Sequence, residues 1–86
     1  MGRRLFDERG WEDLFYWIHE DRKIADKIYK LLNDIENNGA AKGIDKPEKL
    51  KYREGWSRRI DEKNRLVYDV DEKDIIHVYS CKGHYE

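Results

Sequence analysis

The spacing of apolar residues changes once along this chain, and the change restricts the folds open to it. Before the only proline, Pro47, apolar residues recur at three- and four-residue steps: Trp11, Leu14, Phe15 and Ile18, then Ile24, Ile28, Leu31, Leu32 and Ile35. Those steps place each set on one face of a helix. After Pro47 the step is two. Leu50 and Tyr52 alternate with charge, Trp56, Arg58 and Ile60 alternate with Ser57 and Arg59, and Leu66, Tyr68 and Val70 alternate with Val67 and Asp69. A period of two belongs to strands. Helices first and strands afterwards indicate an α+β domain.

Local signals divide the chain further. Arg3-Arg4-Leu5-Phe6 reads as a short opening strand, and Asp7 or Glu8 stands where a helix N-cap or first-turn acid belongs. The first helix ends near His19-Glu20-Asp21. Asp21 can cap a second helix, which Asn37-Asn38-Gly39 stops, because Asn and Gly tolerate the left-handed conformation of a helix end. So short a joint makes the helices an antiparallel pair. Residues 40–47 form a long loop. Asp61-Glu62-Lys63-Asn64 and Asp71-Glu72-Lys73-Asp74 have the length of hairpin turns, and a last strand runs from Ile75 to about Cys81. The expected architecture is one domain over residues 1–86: an N-terminal strand, then a helix pair packed on one face of an antiparallel meander of three or four strands.

With 86 residues, such a domain buries about 60–65% of its unfolded surface, so its apolar residues must be used economically. Only 38% are hydrophobic and 43% are charged, but three Trp and six Tyr supply large buried areas and argue against disorder. No apolar run reaches the roughly 18 residues of a membrane span, and no secretory leader is visible. The single cysteine, Cys81, excludes an internal disulfide and a multi-cysteine zinc site. A cytoplasmic protein without metal or cofactor is the expectation. The net charge of −1 conceals a basic block: residues 42–65 hold nine Lys or Arg against five acids, a local balance of +4. Such a block fits an anion-binding face, and equally a solvated charged surface.

Candidate chemistry gathers in that block and at the far end of the sequence. Glu48 stands among Lys46, Lys49 and Lys51, which favour its ionised form and its use as a base; it can also be a plain surface acid. Arg58 and Arg59 are strand neighbours and face opposite ways, and Arg65 opens the next strand across a hairpin. A guanidinium can clamp a phosphate, or can pair across the hairpin with Asp61 or Glu62. The sequence closes on Lys82-Gly83-His84-Tyr85-Glu86, rich in groups that move protons or grip anions. His19 and His77 read as structural. Cys81 reads as core filling rather than a nucleophile, and the tryptophans and Phe15 as core or partner-facing. Together a base, a clamp and a proton donor are the set that phosphodiester cleavage requires. RNA supplies its own nucleophile in the 2′-hydroxyl.

Pro47-Glu48-Lys49-Leu50-Lys51, Gly55-Trp56-Ser57-Arg58-Arg59-Ile60, Asn64-Arg65-Leu66-Val67-Tyr68 and Cys81-Lys82-Gly83-His84-Tyr85 resemble, in that order, the YoeB toxins of the RelE superfamily. Trp11 to Trp17 fit as well, so the resemblance covers nearly the whole chain. It implies a microbial-RNase-like fold and a ribosome-dependent endoribonuclease of a type II toxin–antitoxin pair. Such an enzyme cuts mRNA in the A site to leave a 2′,3′-cyclic phosphate. By the same resemblance Glu48 is general base, Arg65 stabilises the phosphorane, His84 is general acid and Tyr85 supports it. Lys51 and Arg59 bind or polarise RNA, with Lys49 and Lys82 on the basic rim. The implied partners are a YefM-like antitoxin, the ribosome with mRNA, operator DNA for the toxin–antitoxin complex, and a second copy in a homodimer. Gly83 and Glu86 depart from the family pattern, and a slower toxin is the expectation they raise. The alternative function is a toxin-like protein of weak catalysis acting as antitoxin partner and co-repressor; an RNase independent of the ribosome is a third.

Overall fold

In a computed structural model, residues 3–83 are described, and two helices pack on one face of a five-stranded sheet. The elements are β1 (Arg4–Phe6), α1 (Glu8–Glu20), α2 (Arg22–Asn38), β2 (Glu48–Lys49), β3 (Trp56–Arg59), β4 (Arg65–Val70) and β5 (Ile76–Ser80). The spatial order is β1-β5-β4-β3-β2. Strands β2 to β5 form the expected antiparallel meander, and β1 joins β5 in parallel, Arg4 opposite Ile76, so the whole sheet is mixed.

The core lies between α2 and the sheet. Ile28, Leu31, Leu32 and Ile35 of α2 meet Leu66, Tyr68, Ile76 and Val78. Each such aliphatic side chain contributes roughly 1.5–3 kcal/mol on full burial. Asp21 ends one helix and begins the next: its N–H donates to the Trp17 carbonyl at 2.8 Å, and its carboxylate accepts from the Lys23 N–H at 3.1 Å. Asp7 occupies the N-cap position of α1, but its side chain makes no cap hydrogen bond.

Two expectations require correction, and the structure decides a third point that alternation left open. The face of α1 that packs on the sheet carries Gly10, Asp13 and Trp17, whereas Trp11, Phe15 and Ile18 are exposed. The reason is Gly10, where a Cβ would come within 2.7 Å of the Val78 carbonyl oxygen; its absence lets the helix lie close against β5 on that side. Leu50 and Tyr52 are not in a strand. The Leu50 N–H donates to the Gly55 carbonyl at 3.0 Å, so the chain turns back after Lys49, and Tyr52 is 85% exposed. Arg58 and Arg59 face opposite ways as alternation requires, and Arg58 is the one turned to the helices, where it pairs with neither Asp61 nor Glu62. It is wholly buried and directs five N–H donors to five acceptors: Tyr68 Oη (2.9 Å), the carbonyls of Gly39 (2.9 Å), Lys42 (2.7 Å) and Ile44 (3.2 Å), and the Asp34 carboxylate.

Arg58 therefore organises the loop that leads to β2. Tyr68 Oη donates to the Ala40 carbonyl at 2.6 Å, the Ile44 N–H donates to Asp34 at 3.0 Å, and Lys27 pairs with Asp45 at 2.8 Å. Burial acts to raise the Asp34 carboxyl, but the hydrogen bonds from Arg58 and Ile44 and the guanidinium charge outweigh it, and its pKa falls below the ordinary value. The same balance, burial opposed by turn N–H groups, lowers Asp61.

Two outcomes follow from this packing. Arg58→Met strands the Asp34 carboxylate and four other acceptors, so urea unfolding should show a loss of about 3–5 kcal/mol; a loss under about 1 kcal/mol would contradict the assigned role. A depressed carboxyl stabilises the fold fully above the unfolded value of about 3.9, and this contribution disappears as pH falls through the lower folded value. Asp34→Asn should thus lower stability at pH 7 and flatten its decline below about pH 4, measured as urea midpoints across pH. An unchanged slope would refute the linkage.

Candidate functional site

Alternation along the strands assigns the two faces of the sheet. Trp56, Leu66, Tyr68, Ile76 and Val78 point to the helices. Ser57, Arg59, Arg65 and Val67 therefore point to the open face, and register adds Glu48, opposite Ser57. A bulge then alters β5: Tyr68 faces Val78 and Val67 faces Ser80, so Tyr79 is an extra residue. The extra residue restores the phase that turns Cys81 into the core.

On the open face, Glu48 and Arg65 meet at 3.2 Å. Arg65 Nε donates to Ser57 Oγ at 3.1 Å, and its side chain is 14% exposed, whereas that of Glu48 is 63% exposed. The guanidinium is held while the carboxylate lies mainly in solvent. Arg59 is exposed and stands directly opposite Arg65. Like charges in directly opposed positions repel. Glu48 offsets this in part, and a phosphate placed between the two arginines would satisfy both.

The backbone leading to the last residues is fixed beside this cluster. Trp17 Nε1 donates to the Cys81 carbonyl at 2.8 Å, and the Cys81 N–H donates to the buried Asp13 carboxylate at 3.0 Å. Arg9 donates to the Lys82 carbonyl at 3.1 Å. The Arg65 N–H donates to the Gly83 carbonyl at 3.0 Å, and the Gly83 N–H donates to Asn64 Oδ1 at 2.8 Å. Gly83 has φ +92°, in the left-handed region where a side chain is strained, so glycine suits this turn. His84, Tyr85 and Glu86 lie outside the described residues.

The structure thus brings together Glu48, Arg65 and Arg59. Lys51 is exposed in the turn three residues after Glu48. Lys49 is placed differently: it is opposite Trp56, on the other face from Glu48, with its ammonium 5.4 Å from the indole centroid. The Lys82 ammonium lies 4.2 Å from the Tyr16 ring on α1 and is not part of the Glu48–Arg65 cluster. Sequence reasoning did not single out Ser57, which holds Arg65, or Asn64, which holds Gly83. Ser57 was open to discovery from alternation, since it shares a face with Arg59; Asn64 had no signal beyond its place in a turn. His77 pairs with Asp71 at 2.9 Å, and His19 contacts its own helix at the Phe15 carbonyl. The Cys81 thiol is pushed up to about 12 by burial first and by the charge of Asp13 second. Among the described residues, no group of three or more His, Cys, Asp or Glu could hold a metal ion, and no helix is long and apolar enough to cross a membrane.

Comparison with known proteins adds a family. Residues 6–85 match the YoeB-like toxin of bacterial type II toxin–antitoxin systems. The YoeB toxin of Streptomyces coelicolor is 39% identical over 85 residues, covering 96% of this chain and 99% of the relative. A YoeB–YefM complex from Staphylococcus aureus contains a chain of TM-score 0.90 and 42% identity, with 99% of both chains covered. The YoeB dimer from Staphylococcus aureus superposes with TM-score 0.91 at 44% identity over 98% of both chains.

The thiol assignment is open to direct measurement. With a pKa of about 12, about one Cys81 in ten thousand is a thiolate at pH 8. Alkylation by iodoacetamide should be negligible in the native protein and prompt in urea. Rapid native labelling would contradict the burial of this side chain.

Proposed function

Because the chain belongs to the family of YoeB-like toxins of bacterial type II toxin–antitoxin systems, we propose that it is an endoribonuclease that cleaves mRNA in the ribosomal A site and so halts translation. The observation that carries this reading is the open-face cluster: Ser57 holds Arg65, Arg65 meets an exposed Glu48, and Arg59 stands directly opposite Arg65.

In the proposed reaction the RNA backbone lies across this face with the scissile phosphate between Arg59 and Arg65. Glu48 takes the proton of the adjacent 2′-hydroxyl. The O2′–P bond forms, and Arg65 offsets the negative charge that grows on the phosphorane oxygens. The P–O5′ bond then breaks, and O5′ takes a proton from His84, which Tyr85 assists. The products are a 2′,3′-cyclic phosphate and a 5′-hydroxyl. No metal or cofactor is needed for this sequence, because the nucleophile belongs to the substrate. The difference in exposure between Glu48 and Arg65 supports the division of roles: a base must reach its proton, while an electrostatic clamp acts best when it does not reorganise. Lys51 and the +4 block of residues 42–65 assist docking on ribosome and mRNA. Lys49 and Lys82 take no catalytic part in this reading.

The proposed partner is a YefM-like antitoxin, by analogy with the Staphylococcus aureus YoeB–YefM complex. With the antitoxin bound, the pair would bind its operator DNA, and the toxin would work in the cytoplasm. The Staphylococcus aureus YoeB dimer supports a homodimer.

Glu48→Gln and His84→Gln should each slow cleavage of ribosome-bound mRNA by about 100- to 10,000-fold, with melting temperatures unchanged. Arg65→Lys, which loses the planar fork, should also cut poorly. Full activity in both the Glu48 and His84 variants would refute the roles assigned to them.

A further inference from the structure

We propose that Arg53 and Tyr79 form a shelf on which one base of the RNA stacks next to the cleaved phosphate, a site that rests on the ribonuclease reading above. The Arg53 guanidinium lies 3.9 Å from the centroid of the Tyr79 ring. The cation lies over the phenol ring, and Arg53 is exposed, so its guanidinium is within reach of a flat ligand from solvent. Bases stack on arginine planes as they do on aromatic rings, and stacking on such a platform strengthens binding by about 5- to 100-fold per base.

Two departures from regular structure build the pair. Alternation from Val78 turns the Tyr79 ring to the open face, and the β5 bulge sets Ser80 beside it on that same face. The turn over residues 50–55 then folds tightly onto that face. Leu50 is buried there outside the main core cluster, and Gly55 has φ +129°, at a point where a Cβ would lie only 2.8 Å from the Tyr68 carbonyl oxygen. That same Cβ would lie 3.6 Å from Cε2 of Tyr79, so the turn rests on this ring. A bulged tyrosine and a forced glycine turn are a costly way to place one surface cation–π contact worth about 0.5–1 kcal/mol.

Position favours a role in RNA recognition. Glu48, Ser57, Val67 and Ser80 form one row across the open face, Arg65 lies on one side of that row, and Tyr79 lies on the other. Three residues of strand separate the level of Arg65 from Tyr79, about 10 Å. A phosphate at Arg65 places a neighbouring base within reach of the shelf. The other cation–ring contacts do not offer this: Lys49 and Lys82 present compact ammonium groups, Arg58 is buried over Tyr68, and Arg4 of β1 lies 5.9 Å from Tyr29 and is bonded to Asn33 and Glu36 of α2.

The test uses ribosome-bound mRNA carrying an abasic nucleotide at each position in turn, from two before to two after the scissile phosphate. The unaltered protein should lose about 5- to 100-fold in cleavage rate at one of these positions. Arg53→Lys keeps the charge and removes the plane: it should cut intact mRNA more slowly by a similar factor and lose less than about twofold at that abasic position. Thermal melts check that Arg53→Lys folds as the unaltered protein does. Equal abasic losses in the unaltered protein and Arg53→Lys would overturn the shelf while leaving the ribonuclease intact. An unaltered protein that cleaves no ribosome-bound mRNA would overturn the ribonuclease reading, and the shelf with it.

Discussion

The buried guanidinium of Arg58 is the interaction on which the rest of the molecule depends. A charge of that size can leave water only if its donors are satisfied, and all five N–H groups of Arg58 find acceptors drawn from α2, the following loop and β4. The loop has little apolar surface of its own and two residues, Asp45 and Lys46, with positive φ. Its carbonyls converge because one cation requires them. Through that convergence the strand beyond the loop begins at a defined place, and Glu48 arrives opposite Ser57.

The site combines a held partner and a solvent-facing one. Arg65 has Ser57 behind it and the backbone of Gly83 beside it, while Glu48 belongs to a strand of two residues at the edge of the sheet. Edge position and short length leave Glu48 with few constraints beyond its ion pair. The arrangement sets a guanidinium in the sheet and leaves the carboxylate at its margin.

Much of this was legible in the sequence, and the failures have physical causes. The switch of period at Pro47 marked the α+β order, and the polar tetrapeptides marked the hairpins, where the first Asp of each accepts the turn N–H groups. The resemblance to YoeB toxins brought Glu48 and Arg65 together before any coordinates did. Periodicity chose the wrong face of α1, because it weighs Trp11 and Phe15 by hydrophobicity and cannot register that Gly10 admits close approach to Val78. It carried the strand through Leu50 and Tyr52 because a turn stabilised from Gly55 leaves no mark on alternation. It set Arg58 on one face with Trp56 and Ile60 but could not show what would satisfy a guanidinium there, because its partners lie 10 to 24 residues away. The bulge at Tyr79 had no sequence signal, and neither did the contact with Arg53.

The parallel pairing of β1 with β5 has a consequence for synthesis. Arg4, Leu5 and Phe6 find their partners only in Ile76, His77 and Val78, so the sheet cannot close until translation has passed those codons. Until then β1 has no neighbour, and α1 lacks the strand against which Gly10 and Trp17 pack. The late strand also carries Tyr79, and the segment just beyond it sits beside Arg65. A nascent chain therefore closes this sheet only after β5 has been made, however early its first strand emerges.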